Sequence, residues 1–284
     1  MSNSVVDRNS ALAAWYSANK RDLPWRDTGD PYLTLVSELM LQQTQVDRVI
    51  PKFEAFVARW PNVDALAASS PTAVLEVWSG LGYNSRALRL RDTAIVIAAD
   101  GWPTTIEGLM ALPGVGPYTA AAIGSMALGI EVAAVDTNLK RILSRWSGSA
   151  LDGADLIESA EQNLGSPAGD WNQSLMDLGS SLCTPANPSC IDCPVEAWCT
   201  DPSIYEAPRP QGRFEGSTRQ LRGVMVKAHV AGGSPIEAGL ALGRSEAEVA
   251  QVLEALETEG LIPEDSPSAS QVEREELLVE EVAE

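Results

Sequence analysis

The sequence predicts an all-α protein, and two observations carry this prediction. Apolar residues recur at helical spacing through residues 1–200, for example at Leu35, Leu39 and Val46, which is typical of helices with one buried face. Glycine and proline residues punctuate these segments, as at 30–31 and 70–71, where helices are expected to begin or end. We find no strict alternation of the kind a half-buried strand would show, and no internal repeat.

The elements after residue 200 follow from local start signals. Residues 201–216 are rich in proline, glycine and charge and are predicted to be a linker. Helices are predicted over 218–230 and 234–242, and a third begins after Ser245, where Glu248 completes a capping box. Together, residues 217–263 resemble a small helix-turn-helix or winged-helix module. Residues 264–284 are polar and acidic and are predicted to be a disordered tail.

Composition restricts the class of protein. The 284 residues carry a net charge of −19, which argues against a nonspecific coat protein for nucleic acid but leaves room for a local basic face. The N-terminus lacks the basic start and apolar run of an export signal, and the longest apolar stretch, 120–135, is interrupted by Glu131. We therefore expect a cytoplasmic protein without membrane segments. Two groups of bases are expected to be solvated helix faces: Arg86, Arg89 and Arg91, and Lys140, Arg141 and Arg145.

All four cysteines fall within seventeen residues, in the pattern C-x6-C-x2-C-x5-C: Cys183, Cys190, Cys193 and Cys199. This spacing is typical of one metal site in a reducing compartment. Structural zinc usually takes two close pairs, whereas here one pair has a single cysteine on each side. The spacing favours an iron–sulfur cluster, with zinc as the alternative and two disulfides as the third.

The segment Leu112-Pro-Gly-Val-Gly-Pro-Tyr-Thr-Ala120 contains Gly114, Val115 and Gly116 just before a proline suited to the first helical position. A glycine turn at a helix N-terminus exposes backbone N–H groups that suit an anion, although a plain helix–helix turn would have the same appearance. The segment resembles the helix-hairpin-helix element, which holds a DNA backbone phosphate.

Several motifs resemble, in the right order, those of the A/G-specific adenine DNA glycosylases (MutY family). They are Leu23-Pro-Trp-Arg26, Ser37-Glu-Leu-Met-Leu-Gln-Gln-Thr-Gln45, Trp78-Ser-Gly-Leu-Gly-Tyr83, the hairpin, Val135-Asp-Thr-Asn138 and the four cysteines. The resemblance covers roughly residues 11–200. Without it, Asp136 would be read as a helix N-cap and Glu38 as a solvated helix residue.

The resemblance implies roles for individual residues. Glu38 would protonate the adenine ring, and Asp136 would stabilise the positively charged sugar that forms as the N-glycosidic bond breaks. Tyr118 and Asn138 would support these acids. Contacts with DNA are implied for Arg26, Gln43, Leu81, Tyr83, Gly114, Val115 and Gly116, and Gln43 and Tyr83 would enter the base stack. Related endonuclease III proteins have a lysine where Tyr118 stands, so the resemblance implies a monofunctional enzyme.

The resemblance also implies an architecture and a cofactor. Residues 31–136 would form a six-helix lobe with the hairpin, and residues 137–200 would form a second lobe, joined by residues 1–30. The four cysteines would bind a [4Fe–4S] cluster. The partner would be double-stranded DNA with a mismatch, and the protein would be a monomer associated with the nucleoid.

The match is incomplete in three places. Thr137 and Asn84 replace residues usual in the family, and the segment from Phe214 to Gly223 resembles the short extension of actinobacterial members rather than a domain that reads 8-oxoguanine. The predicted function is removal of adenine mispaired with 8-oxoguanine or guanine. Two alternatives stay open: a thymine or uracil mismatch glycosylase, and a DNA-binding or redox-sensing protein without catalysis.

Overall fold

The computed structural model describes residues 4–204 and 212–263, and within these ranges it contains helices and no strand. The all-α prediction is confirmed. The first helices are α1 (Val5–Asn19), α2 (Pro31–Leu41), α3 (Val46–Arg59), α4 (Val63–Ala67), α5 (Pro71–Trp78), α6 (Ser85–Asp100) and α7 (Ile106–Met110). They are followed by α8 (Pro117–Ala127), α9 (Thr137–Ser147), α10 (Gly153–Asn163), α11 (Ala168–Ser181), α12 (Thr218–Val230), α13 (Pro235–Ala241) and α14 (Glu246–Thr258).

Two short 3-10 helices, Cys190–Asp192 and Glu196–Trp198, lie in the cysteine segment. The predicted acidic tail lies outside the described residues, as does the part of the predicted linker from 205 to 211. None of the helices in the described part of the chain is both long and apolar enough to cross a membrane.

The described residues divide into two compact units. The first unit contains residues up to 54 together with 96–204, and the second contains 55–95 together with 212–263. The lobes predicted from the sequence divide the chain at other positions and stay a prediction.

Helices begin at the residues that the sequence predicts. Asp30 caps α2 through its side chain, and Pro31 occupies the first turn. Gly116 precedes α8, with Pro117 at the first helical position. Because a proline has no N–H to satisfy, it fits a helix start without loss of a hydrogen bond.

The core of the first unit forms where α1, α9, α10 and α11 meet. Its buried side chains are Leu12, Leu139, Ile142, Leu143, Trp146, Leu156, Leu175 and Leu178, among others. Cys183, Cys193 and Cys199 pack against this cluster. The cysteine segment therefore lies on the same core that supports α9, the helix that begins beside Asp136.

Helix α8 packs against α2, α7 and α11 in the first unit. A Cβ atom at Gly124 would lie 2.8 Å from the Cδ1 atom of Ile106 on α7, so a larger residue at this position would have to displace the end of the Ile106 side chain. The α7–turn–α8 pair is the predicted helix-hairpin-helix. Its packing brings Tyr118, at the start of α8, beside α2.

The second unit contains the predicted C-terminal module, and its three helices are confirmed. Ser217 and Ser234 cap α12 and α13, and Ser245 and Glu248 form the predicted capping box at α14. The three helices pack on one another, and α12 also packs on α5. The resemblance to a winged helix extends only to the helices, since residues 212–263 contain no strand.

Candidate active site

Two carboxylates, Glu38 and Asp136, line one cavity of about 690 Å³ in the first unit. Tyr118, Asn138 and Gln43 also line it. A cavity of roughly 300–1,000 Å³ is the usual size for a small-molecule site. The structure thus brings together the four residues that were predicted to be catalytic: Glu38, Tyr118, Asp136 and Asn138. They come from three helices: Glu38 lies inside α2, Tyr118 in the first turn of α8, and Asp136 and Asn138 at the start of α9.

Glu38 is the most unusual of these groups because its carboxyl is buried, with 7% of the residue exposed. Its pKa is raised to about 7, mainly by burial and to a smaller extent by the nearby charge of Asp136. A hydrogen bond with Tyr118 and the charge of Arg26 act in the opposite direction. Near neutral pH, Glu38 therefore holds a proton in a large fraction of molecules, as a general acid must.

Asp136 caps helix α9, so the N-cap interpretation holds for this residue as well. Its Oδ1 atom accepts hydrogen bonds from the backbone N–H groups of Asn138 and Leu139, both at 2.8 Å. Its Oδ2 atom accepts one from the Asn138 side chain, also at 2.8 Å. Burial raises the pKa of Asp136, whereas these hydrogen bonds lower it and favour the ionised form. The cap also fixes the direction in which the carboxylate faces the cavity.

Tyr118 lies in the first turn of α8 and is hydrogen-bonded to Glu38. Burial raises the pKa of Tyr118, and the charges of Glu38 and Asp136 raise it further. The phenol therefore keeps its proton and acts as a donor to the Glu38 carboxyl. It carries no amine with which to attack a sugar.

A chain of hydrogen bonds links Asp136 to the cysteine segment. The Asn138 side chain, which donates to Asp136, accepts a 2.8 Å hydrogen bond from the Arg141 guanidinium. Arg141 also donates to the carbonyl of Cys183 at 2.9 Å. One turn further along α9, Arg145 donates to the Cys183 sulfur at 3.0 Å. The helix that begins after Asp136 is thus attached directly to the first cysteine.

Arg26 was predicted to contact DNA, but its guanidinium is already engaged. It forms two hydrogen bonds, of 2.6 and 2.7 Å, with the carboxylate of Asp177. The side chains of Arg26 and Asp177 are 7% and 3% exposed. Asp177 also accepts from the side chain of Arg21 at 2.6 Å. Arg26 still lines the cavity, so its role in DNA binding stays a prediction.

The hairpin between α7 and α8 has the features of an anion site. Gly114 has a φ of +74°, which favours glycine, and a Cβ at Gly116 would meet nothing within 4 Å. Both glycines are exposed, whereas Val115 is buried. Since the first N–H groups of a helix have no intrahelical acceptor, this open turn can accept a phosphate. The buried Val115 side chain anchors the turn rather than facing solvent.

Gln43 follows α2 and is exposed at the cavity, with a φ of +57°. In the second unit, the turn between α5 and α6 presents Tyr83, which is 42% exposed, while Leu81 is 6% exposed. Contact of Leu81 with DNA stays a prediction, and its side chain would first have to leave the interior. Gln43 and Tyr83 both have a left-handed backbone, with Tyr83 at a φ of +48°. This conformation is uncommon for residues other than glycine and is often found at functional positions.

The four cysteines are free thiols and line one cavity of about 90 Å³, so the disulfide alternative is not what the structure shows. Burial raises the pKa of Cys193 and of Cys199 to about 11. No three acidic, histidine or cysteine side chains in the described ranges are arranged around a single-ion site. The ligands of a [4Fe–4S] cluster each bind a different iron atom, so they surround a cavity rather than a point.

Two arginines of the expected solvated helix faces are buried instead, and a third, Arg141, is bound to Asn138 and to the Cys183 carbonyl. Arg86 is 6% exposed and Arg145 is 1% exposed. Arg145 donates to the carbonyls of Thr184, Pro185 and Ile204 at 2.8–3.0 Å. A guanidinium has five N–H donors in a fixed plane, so it can be buried where enough carbonyls converge on it.

Comparison with known proteins agrees with this geometry. Residues 36–166 match the HhH-GPD superfamily of base excision DNA repair proteins. The adenine DNA glycosylase of Mycolicibacterium smegmatis is 39% identical over 228 residues, which are 76% of this chain and 78% of the relative. That of Mycobacterium tuberculosis is 37% identical over 279 residues, or 91% and 90% of the two chains. The chain belongs to the adenine DNA glycosylase family.

Solved structures show the same fold. A thermostable thymine-DNA glycosylase is 30% identical, with a TM-score of 0.64 over 68% of this chain and 95% of that one. Endonuclease III trapped on DNA is 18% identical, with a TM-score of 0.59 over 70% and 97% of the two chains. This adenine DNA glycosylase family member is therefore a base excision repair enzyme that binds DNA, on a fold compatible with an iron–sulfur cluster.

Sequence reasoning missed three residues that line the cavity of this adenine DNA glycosylase family member or hold its lining residues in place. Asp177 and Gln173 lie on α11, where Asp177 orients Arg26 and Gln173 accepts a 2.7 Å hydrogen bond from Tyr16. Arg141 was assigned to solvent but binds Asn138. A carboxylate on the mainly apolar stretch from 175 to 178 was a detectable signal for Asp177; nothing local distinguished the other two.

Proposed function

We propose that this enzyme hydrolyses the N-glycosidic bond of adenine mispaired with 8-oxoguanine or guanine, without cleaving the DNA strand. The observation that carries the proposal is the pairing of two carboxylates in one cavity, of which Glu38 has a pKa of about 7. Paired acids in different environments are the usual means of dividing proton donation from charge stabilisation.

In the proposed reaction, protonated Glu38 donates its proton to the adenine ring. The bond between the sugar C1′ and the base nitrogen then breaks, and its electron pair leaves with the neutral base. The ionised carboxylate of Asp136 stabilises the positive charge that remains on the sugar. A water molecule adds to C1′ and gives up a proton, so the products are free adenine and an abasic site.

The supporting residues are assigned by their contacts. Tyr118 donates to the Glu38 carboxyl, and the Asn138 side chain donates to the Oδ2 atom of Asp136. Gln43 and Tyr83, both exposed and in left-handed conformation, would enter the base stack as the adenine turns out, since chemistry on a base requires its extrusion. The hairpin at 114–116 would hold a backbone phosphate.

We propose that Cys183, Cys190, Cys193 and Cys199 hold a [4Fe–4S] cluster. The donor set fits, because four free thiols line one cavity and pack on the core of the first unit. The buried indole N–H of Trp198, between the last two cysteines, has no acceptor among the described residues, and cluster sulfurs accept such hydrogen bonds. When bound, the cluster would cross-link the cysteine segment. Arg141 and Arg145 connect that segment to α9.

We further propose that the enzyme acts as a monomer in the cytoplasm, associated with the nucleoid. Its assignment to base excision repair, whose substrate is chromosomal DNA, supports the proposed location. Sedimentation of the enzyme with and without a short mispaired duplex measures its oligomeric state directly. A dimer in either condition contradicts the proposed monomer.

The test of function is single-turnover base release from defined duplexes. Adenine would be placed opposite 8-oxoguanine, guanine and thymine, and thymine or uracil opposite guanine, each assayed with and without alkali. We expect release of mispaired adenine only, with strand breaks that require alkali, and no borohydride-trapped adduct. Release of thymine or uracil instead, or strand cleavage without alkali, contradicts the proposal.

A further inference from the structure

The turn between α5 and α6 in the second unit, residues 79–83, has an unusual backbone. Gly80, Gly82 and Tyr83 all have positive φ, of +95°, +73° and +48°. Glycine adopts this region freely, but for tyrosine it costs on the order of 1–3 kcal/mol. The strain persists only where neighbouring groups hold the conformation. Tyr83 is nevertheless 42% exposed, so the restraint has to come from the interior side of the turn.

Arg86 provides this restraint. Its guanidinium donates to the carbonyl of Gly82 at 3.1 Å and to that of Leu81 at 3.4 Å. The same group lies 5.4 Å from the ring centres of both Trp78 and Tyr83, within the range of a cation–π interaction. One side chain thus contacts the backbone of the turn, the helix before it and the exposed tyrosine.

Trp78 reinforces the arrangement. Its indole N–H donates to the Gly82 carbonyl at 3.1 Å, and its ring is completely buried. The carbonyl of Gly82 is therefore fixed by two donors, which sets the plane of the peptide that enters Tyr83. A phosphate-binding role for Arg86 fits poorly, because the residue is 6% exposed and directs its donors into the turn.

We propose that Arg86 is a positioning residue that holds the turn in the conformation from which the Tyr83 ring enters the DNA base stack. The inference rests on the proposed function, in which Tyr83 assists extrusion of the target base. Extrusion costs a few kcal/mol of lost stacking and pairing. If the Tyr83 ring is already held in place before DNA binds, it loses less conformational freedom on entering the stack. More of the energy of its contacts with the bases is then available for extrusion.

A double-mutant cycle tests the inference in the full-length enzyme. Arg86→Lys keeps the charge and loses the planar fork. Tyr83→Asn removes the ring, and asparagine tolerates left-handed backbone. The measurements are fluorescence of 2-aminopurine placed opposite guanine, which reports base extrusion, and single-turnover adenine release at saturating enzyme. Arg89→Lys, at an exposed position on the same helix, is the matched control.

We expect Arg86→Lys to lower extrusion and base release roughly ten- to a hundredfold, as misplacement of a supporting group does, with no change for Arg89→Lys. In the Tyr83→Asn background the same substitution should have little further effect, because its action passes through the tyrosine. The inference is overturned if the losses in extrusion caused by Arg86→Lys and Tyr83→Asn multiply in the double variant. It is also overturned if Arg86→Lys lowers the unfolding temperature but leaves extrusion unchanged.

Two further outcomes are informative. If Arg86→Lys does not fold, Trp78→Phe takes its place, because it removes the other donor to the Gly82 carbonyl. We expect Trp78→Phe to lower extrusion and base release in the wild-type background and to have little effect in the Tyr83→Asn background. Unchanged extrusion in Tyr83→Asn overturns the inference and the role of Tyr83 in extrusion, and leaves the proposed adenine hydrolysis by Glu38 and Asp136 intact. Extrusion by the wild type without release of any base overturns the proposed function alone.

Discussion

Glu38 shows how the environment of one residue determines its chemistry. A glutamate on a helix is usually solvated and ionised, but here α2 is buried along most of its length and the carboxyl lies beside Tyr118 and Asp136. The motif around Glu38 indicated its identity as an acid. The raised pKa follows only from the packing of α2 against α8, which no local sequence signal specifies.

Replacing Glu38 by Gln should abolish base release and change the pH dependence of stability. In the wild type the folded pKa of about 7 exceeds the unfolded pKa. The native state therefore holds a proton that the unfolded state has released, and stability falls as pH rises between about 4.5 and 7. The Gln variant has no such proton to lose, so its stability relative to wild type should improve by roughly 2.5 kcal/mol between pH 5 and pH 8. Denaturant unfolding at both pH values measures it.

Glu161 is exposed, and Glu161→Gln is the matched control. It should leave base release and the pH dependence of stability unchanged. Wild-type base release should also fall as pH rises above about 7, as the general acid loses its proton. A flat relative stability, or a rate that rises with pH in this range, would contradict the assignment of Glu38.

Asp136 allows its structural and chemical roles to be separated. Asn is nearly as good an N-cap as Asp, whereas Ala costs about 1 kcal/mol. Asp136→Asn should therefore leave the unfolding free energy almost unchanged and reduce base release by orders of magnitude. Asp136→Ala should lower both the unfolding free energy and base release. Chemical denaturation and single-turnover kinetics on the two variants decide, and an active Asn variant would show that the residue is only a cap.

At the scale of elements, α9 connects the chemistry to the cysteine segment. Its N-terminus carries Asp136, its first turns carry Asn138 and Arg141, and Arg145 reaches the Cys183 sulfur. The helix, its cap and its apolar face were predictable from spacing. The contacts of Arg141 and Arg145 on its other side were not, because they depend on carbonyls from residues 183–185 and 204, which are remote in sequence.

Arg145→Ala should release the cysteine segment. Removing this buried guanidinium leaves several carbonyls without a donor, at a cost of roughly 3 kcal/mol or more. We expect a lower unfolding temperature and less iron per protein chain, measured by calorimetry and metal analysis. Arg89→Ala, which removes an exposed arginine, should alter neither. An Arg145→Ala protein with full iron content and wild-type stability would contradict this account of α9.

The α7–α8 hairpin makes a separate prediction. Gly114→Ala places a Cβ on a residue with a φ of +74°, and this should weaken binding to matched and mismatched duplexes about equally, since phosphate contacts carry no sequence information. Gly129→Ala has a similar φ of +68° at the other end of α8 and controls for strain. Equal losses of affinity in the two variants would show that strain, not phosphate contact, is responsible.

At the scale of the whole molecule, the protein carries a net charge of −19 and yet belongs to a DNA repair family. We therefore propose that DNA binding depends on a few local donors, such as the hairpin amides, rather than on net charge. The second unit illustrates the same point, since α14 contains four glutamates and no lysine or arginine. Such a helix is poorly suited to the major groove, where recognition helices are basic.

Affinity for a mispaired duplex should still fall as salt rises from about 50 to about 200 mM, because each phosphate contact releases counterions. The ratio of affinities for mispaired and matched duplexes should change little, since the contacts that distinguish them are not ionic. Fluorescence anisotropy titrations at several salt concentrations give both quantities. Affinity that is independent of salt would contradict a phosphate-holding hairpin.

The sequence by itself determined the helical fold and the helix starts, and it singled out the four cysteines and the two acids as candidates, because these follow from spacing, caps and motifs that are local in the chain. Only the tertiary structure decided which polar groups are buried together. The pairing of Arg26 with Asp177, the path from Asp136 to Cys183 and the clamp of Arg86 on the Tyr83 turn all depend on where the donors and acceptors meet. Burial makes such contacts obligatory, because an unpaired polar group inside a protein is costly.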